Sequence, residues 1–177
     1  MQPLHPTATW LTTNASGILD WATAGHRTDR NNYCVVGNRD EKIIHVAYHI
    51  DLGQQSQKLE QVEHLSVAGN NPQNRCVNQN SRIVYCYPSC ANTTLQGLVI
   101  DSAIKSNEAT TVALDIQKST HLDWAITVMQ VDYNDPHTRI NASVFVGPNS
   151  WCSVYIGVKP KLGFDWLYEI QLAKILP

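Results

Sequence analysis

The sequence predicts a mainly β protein, an antiparallel β-sandwich with one or two short flanking helices. Short segments alternate apolar and polar residues, which is the period of a half-buried strand. In Thr110 to Gln117, for example, Val112, Leu114 and Ile116 oppose Thr111, Ala113 and Asp115. Turn residues separate the segments, among them Asn134-Asp135-Pro136 and Gly147-Pro148-Asn149, and this spacing favours a sandwich or barrel over helical or βαβ folds. A chain of 177 residues is one domain with room for a sizeable core.

Taken in order, residues 1–32 are expected to form an irregular or short-helical segment ahead of a sandwich domain at 33–177. Pro3 and Pro6 oppose an early helix, and Asn14-Ala15-Ser16-Gly17 marks a turn or a helix entry. Ile18 to Ala24 fits a short helix with Ile18, Trp21 and Ala22 on one side. That segment either packs its Trp on the sandwich or detaches as an amphipathic piece. Tyr33 to Val36 and Lys42 to Leu52 predict a hairpin around Gly37-Asn38-Arg39-Asp40. In its second strand Ile44, Val46, Tyr48 and Ile50 alternate with His45, Ala47, His49 and Asp51. His45 and His49 would stand roughly 13 Å apart at about 3.3 Å per residue, too far to share an ion, so theirs is expected to be a solvated face.

Residues 53–81 are polar and loop-rich, with one strand expected at Glu63 to Val67. Arg82 to Tyr87 and Leu95 to Ile104 resume strand character, and Lys105-Ser106-Asn107-Glu108 connects tightly into the strand at Thr110. Trp124 to Asp132, Arg139 to Val146, Ser153 to Val158 and Leu167 to Ile175 complete about nine or ten strands, enough for two facing sheets.

Charged residues make up 16% and the formal net charge is −2, so bulk electrostatics points to no nucleic-acid partner. No apolar run approaches the length of a transmembrane helix. Met1 to Trp10 lacks the regions of a signal peptide, so a leader is expected to be absent or already removed. Five cysteines, Cys34, Cys76, Cys86, Cys90 and Cys152, cannot all pair within one chain. Either a local disulfide draws on Cys76, Cys86 and Cys90, or these are free thiols. Cys86 and Cys90 lack the second pair of ligands that a structural zinc site needs. Sequons at Asn14, Asn92 and Asn141 matter only on a eukaryotic secretory route.

No catalytic constellation emerges. The chain has no Gly-x-Ser-x-Gly elbow, no phosphate-cradling glycine loop and no His-Glu-x-x-His. A protein that is not an enzyme, with no cofactor and no metal, is therefore expected. Aromatic residues instead gather near the predicted strand ends: Trp124, Tyr133, Trp151, Trp166 and Tyr168. They either fill the open ends of the sandwich or form a rim that stacks on sugars or enters a membrane interface.

The tail from Gly147-Pro148-Asn149-Ser150-Trp151 through Gly157, Lys159 and Gly163-Phe164 to Tyr168-Glu169-Ile170-Gln171-Leu172 resembles the end of the sea-anemone actinoporins. Tyr33 to Gly53 and Arg82 to Val128 can be laid on the strands of that family as well. The resemblance implies a β-sandwich flanked by helices, a fold shared with fungal fruit-body lectins. It also implies a secreted, membrane-surface-binding, cytolysin-like protein whose N-terminal segment rearranges into a pore, with a homo-oligomer compatible. The tyrosine run that precedes a Trp pair in that family falls at Ser119 to Trp124, where one Trp remains. Its Tyr-rich helix is reduced to Tyr133 to Thr138. Trp124, Tyr133 and Trp151 are the surface contacts that carry over. A carbohydrate-binding lectin-type module is the alternative, and a viral or phage receptor-binding or capsid domain also suits the all-β composition.

Overall fold

The computed structural model describes residues 8–24, 33–38, 43–51, 60–66, 82–90, 92–120, 124–132, 139–146, 151–159 and 166–174. In chain order they form β1 (Ala8–Ser16), β2 (Ile18–Ala24), β3 (Tyr33–Asn38), β4 (Ile43–Asp51), β5 (Glu60–Ser66) and β6 (Ile83–Cys90). There follow α1 (Thr93–Lys105), α2 (Ala109–Thr120), β7 (Trp124–Asp132), β8 (Arg139–Val146), β9 (Trp151–Val158) and β10 (Trp166–Lys174). The strands pair antiparallel in two five-stranded sheets, ordered β3-β4-β1-β8-β5 and β2-β7-β10-β9-β6. The mainly β architecture with short helices follows the sequence pattern.

The chain crosses from the first sheet to the second within one residue. β1 ends at Ser16 and β2 begins at Ile18, while Gly17 between them has φ 74°. Side chains with a Cβ rarely adopt this left-handed conformation, and glycine enters it freely. β8 lies against β10, placing the first sheet on one face of the second. The helices cover the other face, α1 against β6 and β9, α2 against β2 and β7. The middle sheet is consequently buried on both sides: every residue from Ala125 to Val131, Cys152 to Val158 and Leu167 to Ala173 is buried.

Register assigns the two faces, because directly opposed residues point the same way. Val128 and Ile126 oppose Ile170 and Leu172, which in turn oppose Val154 and Cys152. This face shares one apolar cluster with Val99 and Ile100 of α1 and Val112 and Ile116 of α2. In α2 the buried positions are Ala109, Val112, Ala113, Ile116 and Thr120, the stripe of a helix resting one side on a core. Full burial of each Val or Ile contributes roughly 1.5–3 kcal/mol, so the stripe holds the helix in place.

Local and distant side chains close the helix ends. Asn92 caps α1, its Oδ1 accepting from the amides of Thr94 (2.8 Å) and Leu95 (3.1 Å). At the other end Arg82 donates to the carbonyl of Ile104 and, at 3.4 Å, to that of Lys159, a favourable cation at a helix C-terminus. Asp20 on β2 accepts the amide of Ala109 at 3.0 Å, satisfying a first-turn donor of α2 from the edge of the sheet. The helices are joined to each other at Asp115, which accepts from Ser102 (2.8 Å) and Lys105 (3.3 Å). Ser102 first, then the Lys105 charge, holds this carboxyl below its ordinary range.

Several sequence expectations are corrected. Leu95 to Ile104 and Thr110 to Gln117 are not strands but lie in α1 and α2. Ile18 to Ala24 is not a short helix but strand β2, and residues 8–16 are not irregular but strand β1. The division into an N-terminal segment and a sandwich fails for this stretch, since β1 pairs with β4 and β8 and β2 pairs with β7. The hairpin of β3 and β4 and the strand expected near Glu63 are present.

Candidate binding rim and a buried polar row

The aromatic residues do not form one rim. Trp124 opposes Lys174 and Trp151 opposes Ala173, so both sit at the end of the second sheet where β7 and β9 begin. Trp166 opposes Asp132 and Val158 at the other end. The nine residues of β10 separate the two ends, about 27 Å at roughly 3.4 Å per residue. Tyr168 is 0% exposed and so, contrary to the sequence expectation, is not a surface contact. Its face belongs to the helix-side core, and its hydroxyl donates to the carbonyl of Ser106 in the turn between α1 and α2 at 2.8 Å. Tyr133 lies outside the described residues.

Trp124 and Trp151 remain together. Both are half-buried. The alternation along each strand places Trp124 on the helix face, packed against the apolar cluster, and Trp151 on the face with Ser153 and Tyr155. Next to Trp151, on the side of β9 away from β7, a disulfide of 1.97 Å joins Cys90 to Cys152, residues directly opposed on β6 and β9. Cys90 therefore pairs across the sheet instead of locally with Cys76 or Cys86. Cys86 is disulfide-bonded as well. Beyond Cys90 the exposed polar residues Asn92, Thr93 and Thr94 open α1 at the same end. This sheet end thus carries two indoles on opposite faces, with β6 pinned to β9 and exposed polar residues opening α1 beyond β6.

A second feature went unseen in the sequence. On the face of the middle sheet turned away from the helices, register aligns Thr23, Thr127, Gln171, Ser153 and Ser89 in a straight row across all five strands. The three central members are buried, and Thr127 and Gln171 are fully enclosed. One step along β10, Glu169 is 1% exposed. Its Oε1 accepts from Ser153 Oγ and from Gln171 Nε2, each at 3.1 Å. Burial pushes the Glu169 carboxyl up to about 7, against the pull of the Gln171 and Ser153 hydrogen bonds. The hydroxyl of Thr127 is buried with no hydrogen-bond partner, although nearly all buried polar groups have one. In LYEIQLA the alternation of Glu169 and Gln171 with apolar residues looks like a solvated face. Only the central place of β10 in its sheet, which the pattern does not encode, turns it inward.

Among the described residues no three His, Cys, Asp or Glu side chains gather as a metal site requires, and no helix is long and apolar enough to cross a membrane. A family model describing a family of unknown function matches residues 5–176. No curated protein and no solved structure matches the chain.

Proposed function

The chain belongs to the DUF5352 family, a family of unknown function, and we propose that it is a secreted, lectin-type recognition module that binds carbohydrate at the Trp124 and Trp151 rim without catalysis. The observation that carries this reading is that two half-buried indoles, one on each face, stand at one end of the middle sheet, the end where the Cys90–Cys152 disulfide pins β6 to β9 and exposed Asn92, Thr93 and Thr94 open α1. A half-exposed indole held at a pinned sheet end offers a stacking plane, and polar residues at the same end offer hydrogen-bond partners. The disulfide also supports passage through an oxidising compartment.

The membrane-surface reading that the C-terminal resemblance implies draws less support. Lipid docking calls for apolar side chains clustered at the contact surface. The large hydrophobic residues that are exposed among the described ones, Leu19, Tyr87 and Leu114, are scattered over β2, β6 and α2.

Glycan-array binding set beside leakage of lipid-only vesicles tests the proposal. We expect glycan binding without leakage. Trp151→Ala should weaken that binding by about 2 kcal/mol, some thirtyfold in Kd, if the indole is a central contact. Vesicle binding without any glycan signal would replace the lectin reading with the lipid one. Undiminished glycan binding by folded Trp124→Ala and Trp151→Ala proteins would remove the rim.

A further inference from the structure

The row of Thr23, Thr127, Gln171, Ser153 and Ser89 runs from one edge of the middle sheet to the other. Its outer members, Thr23 and Ser89, are half-buried and its centre is enclosed. The face between two packed sheets is ordinarily filled by apolar side chains, so a continuous polar line through it, with one hydroxyl unpartnered, is a line of weakness. Glu169 stands beside its midpoint. We propose that this row is a pH-responsive seam between the two sheets. While Glu169 keeps its proton the row stays closed. When that proton passes to solvent, the carboxylate draws water in along the row from Thr23 and Ser89, and the sheets loosen there.

β9 sets Tyr155 opposite Glu169 and β7 sets Met129 there. β8, which lies against β10, carries Arg139 as its one charged residue. In the same sheet β1 carries none, β5 carries Glu60, Glu63 and His64, and β4 carries His45, His49 and Asp51. The unpartnered hydroxyl of Thr127 gives the incoming water a buried group to satisfy.

The direction of the response follows from linkage. The folded protein holds the Glu169 proton up to about 7, whereas an unfolded chain releases it in the ordinary carboxylate range. Proton binding therefore favours the folded form. The contribution is complete below that ordinary range and is lost as pH rises through about 7.

Amide hydrogen exchange of β9 and β10, corrected for base catalysis, tests the seam together with infrared titration of the carboxyl. Opening should be about tenfold more frequent near pH 8 than near pH 6 in the native chain, and unchanged in Glu169→Gln, which copies the protonated acid. Thr127→Val should leave the carboxyl titration in place and suppress most of the extra opening. A carboxyl already ionised near pH 6 would overturn the proposal. So would equal pH dependence in Glu169→Gln, or opening in Thr127→Val as frequent as in the native protein.

Discussion

The hydroxyl of Tyr168 lies 2.8 Å from the carbonyl oxygen of Ser106, while its ring is enclosed among the side chains beneath the helices. This one residue fastens the centre of the middle sheet to the turn that reverses α1 into α2. Tyr168→Phe should cost about 1 kcal/mol, the net worth of a hydrogen bond. Tyr168→Ala should cost about 3–5 kcal/mol, since it also empties a packed space. Denaturant unfolding of both variants measures the difference, and a Tyr168→Phe protein of native stability would show that the bond contributes nothing. Which residues reach a rim was only partly legible at this scale. Trp124 begins β7, as the sequence places it, whereas Trp151, read as part of the turn before Ser153, begins β9. Tyr168 looked equally terminal because the pattern leaves open where β10 starts. Glu169 and Gln171 were hidden for the related reason that a polar alternate position means solvent only when a strand has one covered face.

At the scale of elements, the strands from β7 to β10 were legible because turn residues separate them and their alternation is sustained. The helices were not. Val112, Leu114 and Ile116 satisfy a period of 2, but Ala109, Val112, Ala113, Ile116 and Thr120 satisfy a helical stripe over a longer span. Leu114, 48% exposed, decides between the two, because a strand would have buried it beside Val112. The N-terminal signal of α1 is present in Asn92, a preferred capping residue ahead of an apolar run, though the same residue also reads as a sequon. The pairing of β6 with β9 likewise could not be read from cysteine spacing, since Cys90 and Cys152 are 62 residues apart. A bridge across such a span stabilises chiefly by restricting the unfolded chain, by roughly 4 kcal/mol in the loop-entropy model. Replacing both Cys90 and Cys152 by Ser should lower stability by an amount of that order, measured by denaturant unfolding. The loss should be greatest at the edge strand β6, where hydrogen exchange should rise first. A variant with unchanged stability and unchanged β6 protection would show that the pairing of β6 with β9 and its contact with α1 suffice without the bond.

For the whole molecule, the order of the first sheet, β3-β4-β1-β8-β5, puts the earliest described strand in the middle. β1 is paired along its length with β4 on one side and over most of it with β8 on the other. Through Gly17 it continues directly into β2, whose Asp20 closes the start of α2. All three layers are thus tied to the same stretch of chain. A mechanism in which an N-terminal segment swings away to enter a membrane would have to remove β1 from both neighbours and open two unpaired strand edges, a configuration prone to edge-to-edge association. Deleting residues 1–16 should therefore abolish cooperative unfolding and drive the remainder into aggregates, because β3-β4 and β8-β5 would be left as separate two-stranded ribbons that are marginal alone. Circular dichroism melting and size-exclusion chromatography report both effects. A monomeric, cooperatively folded product would show that β1 is dispensable and restore a detachable N-terminus, and with it the pore-forming reading. Aggregation would leave the protein as a scaffold whose layers stay together while its rim makes contact.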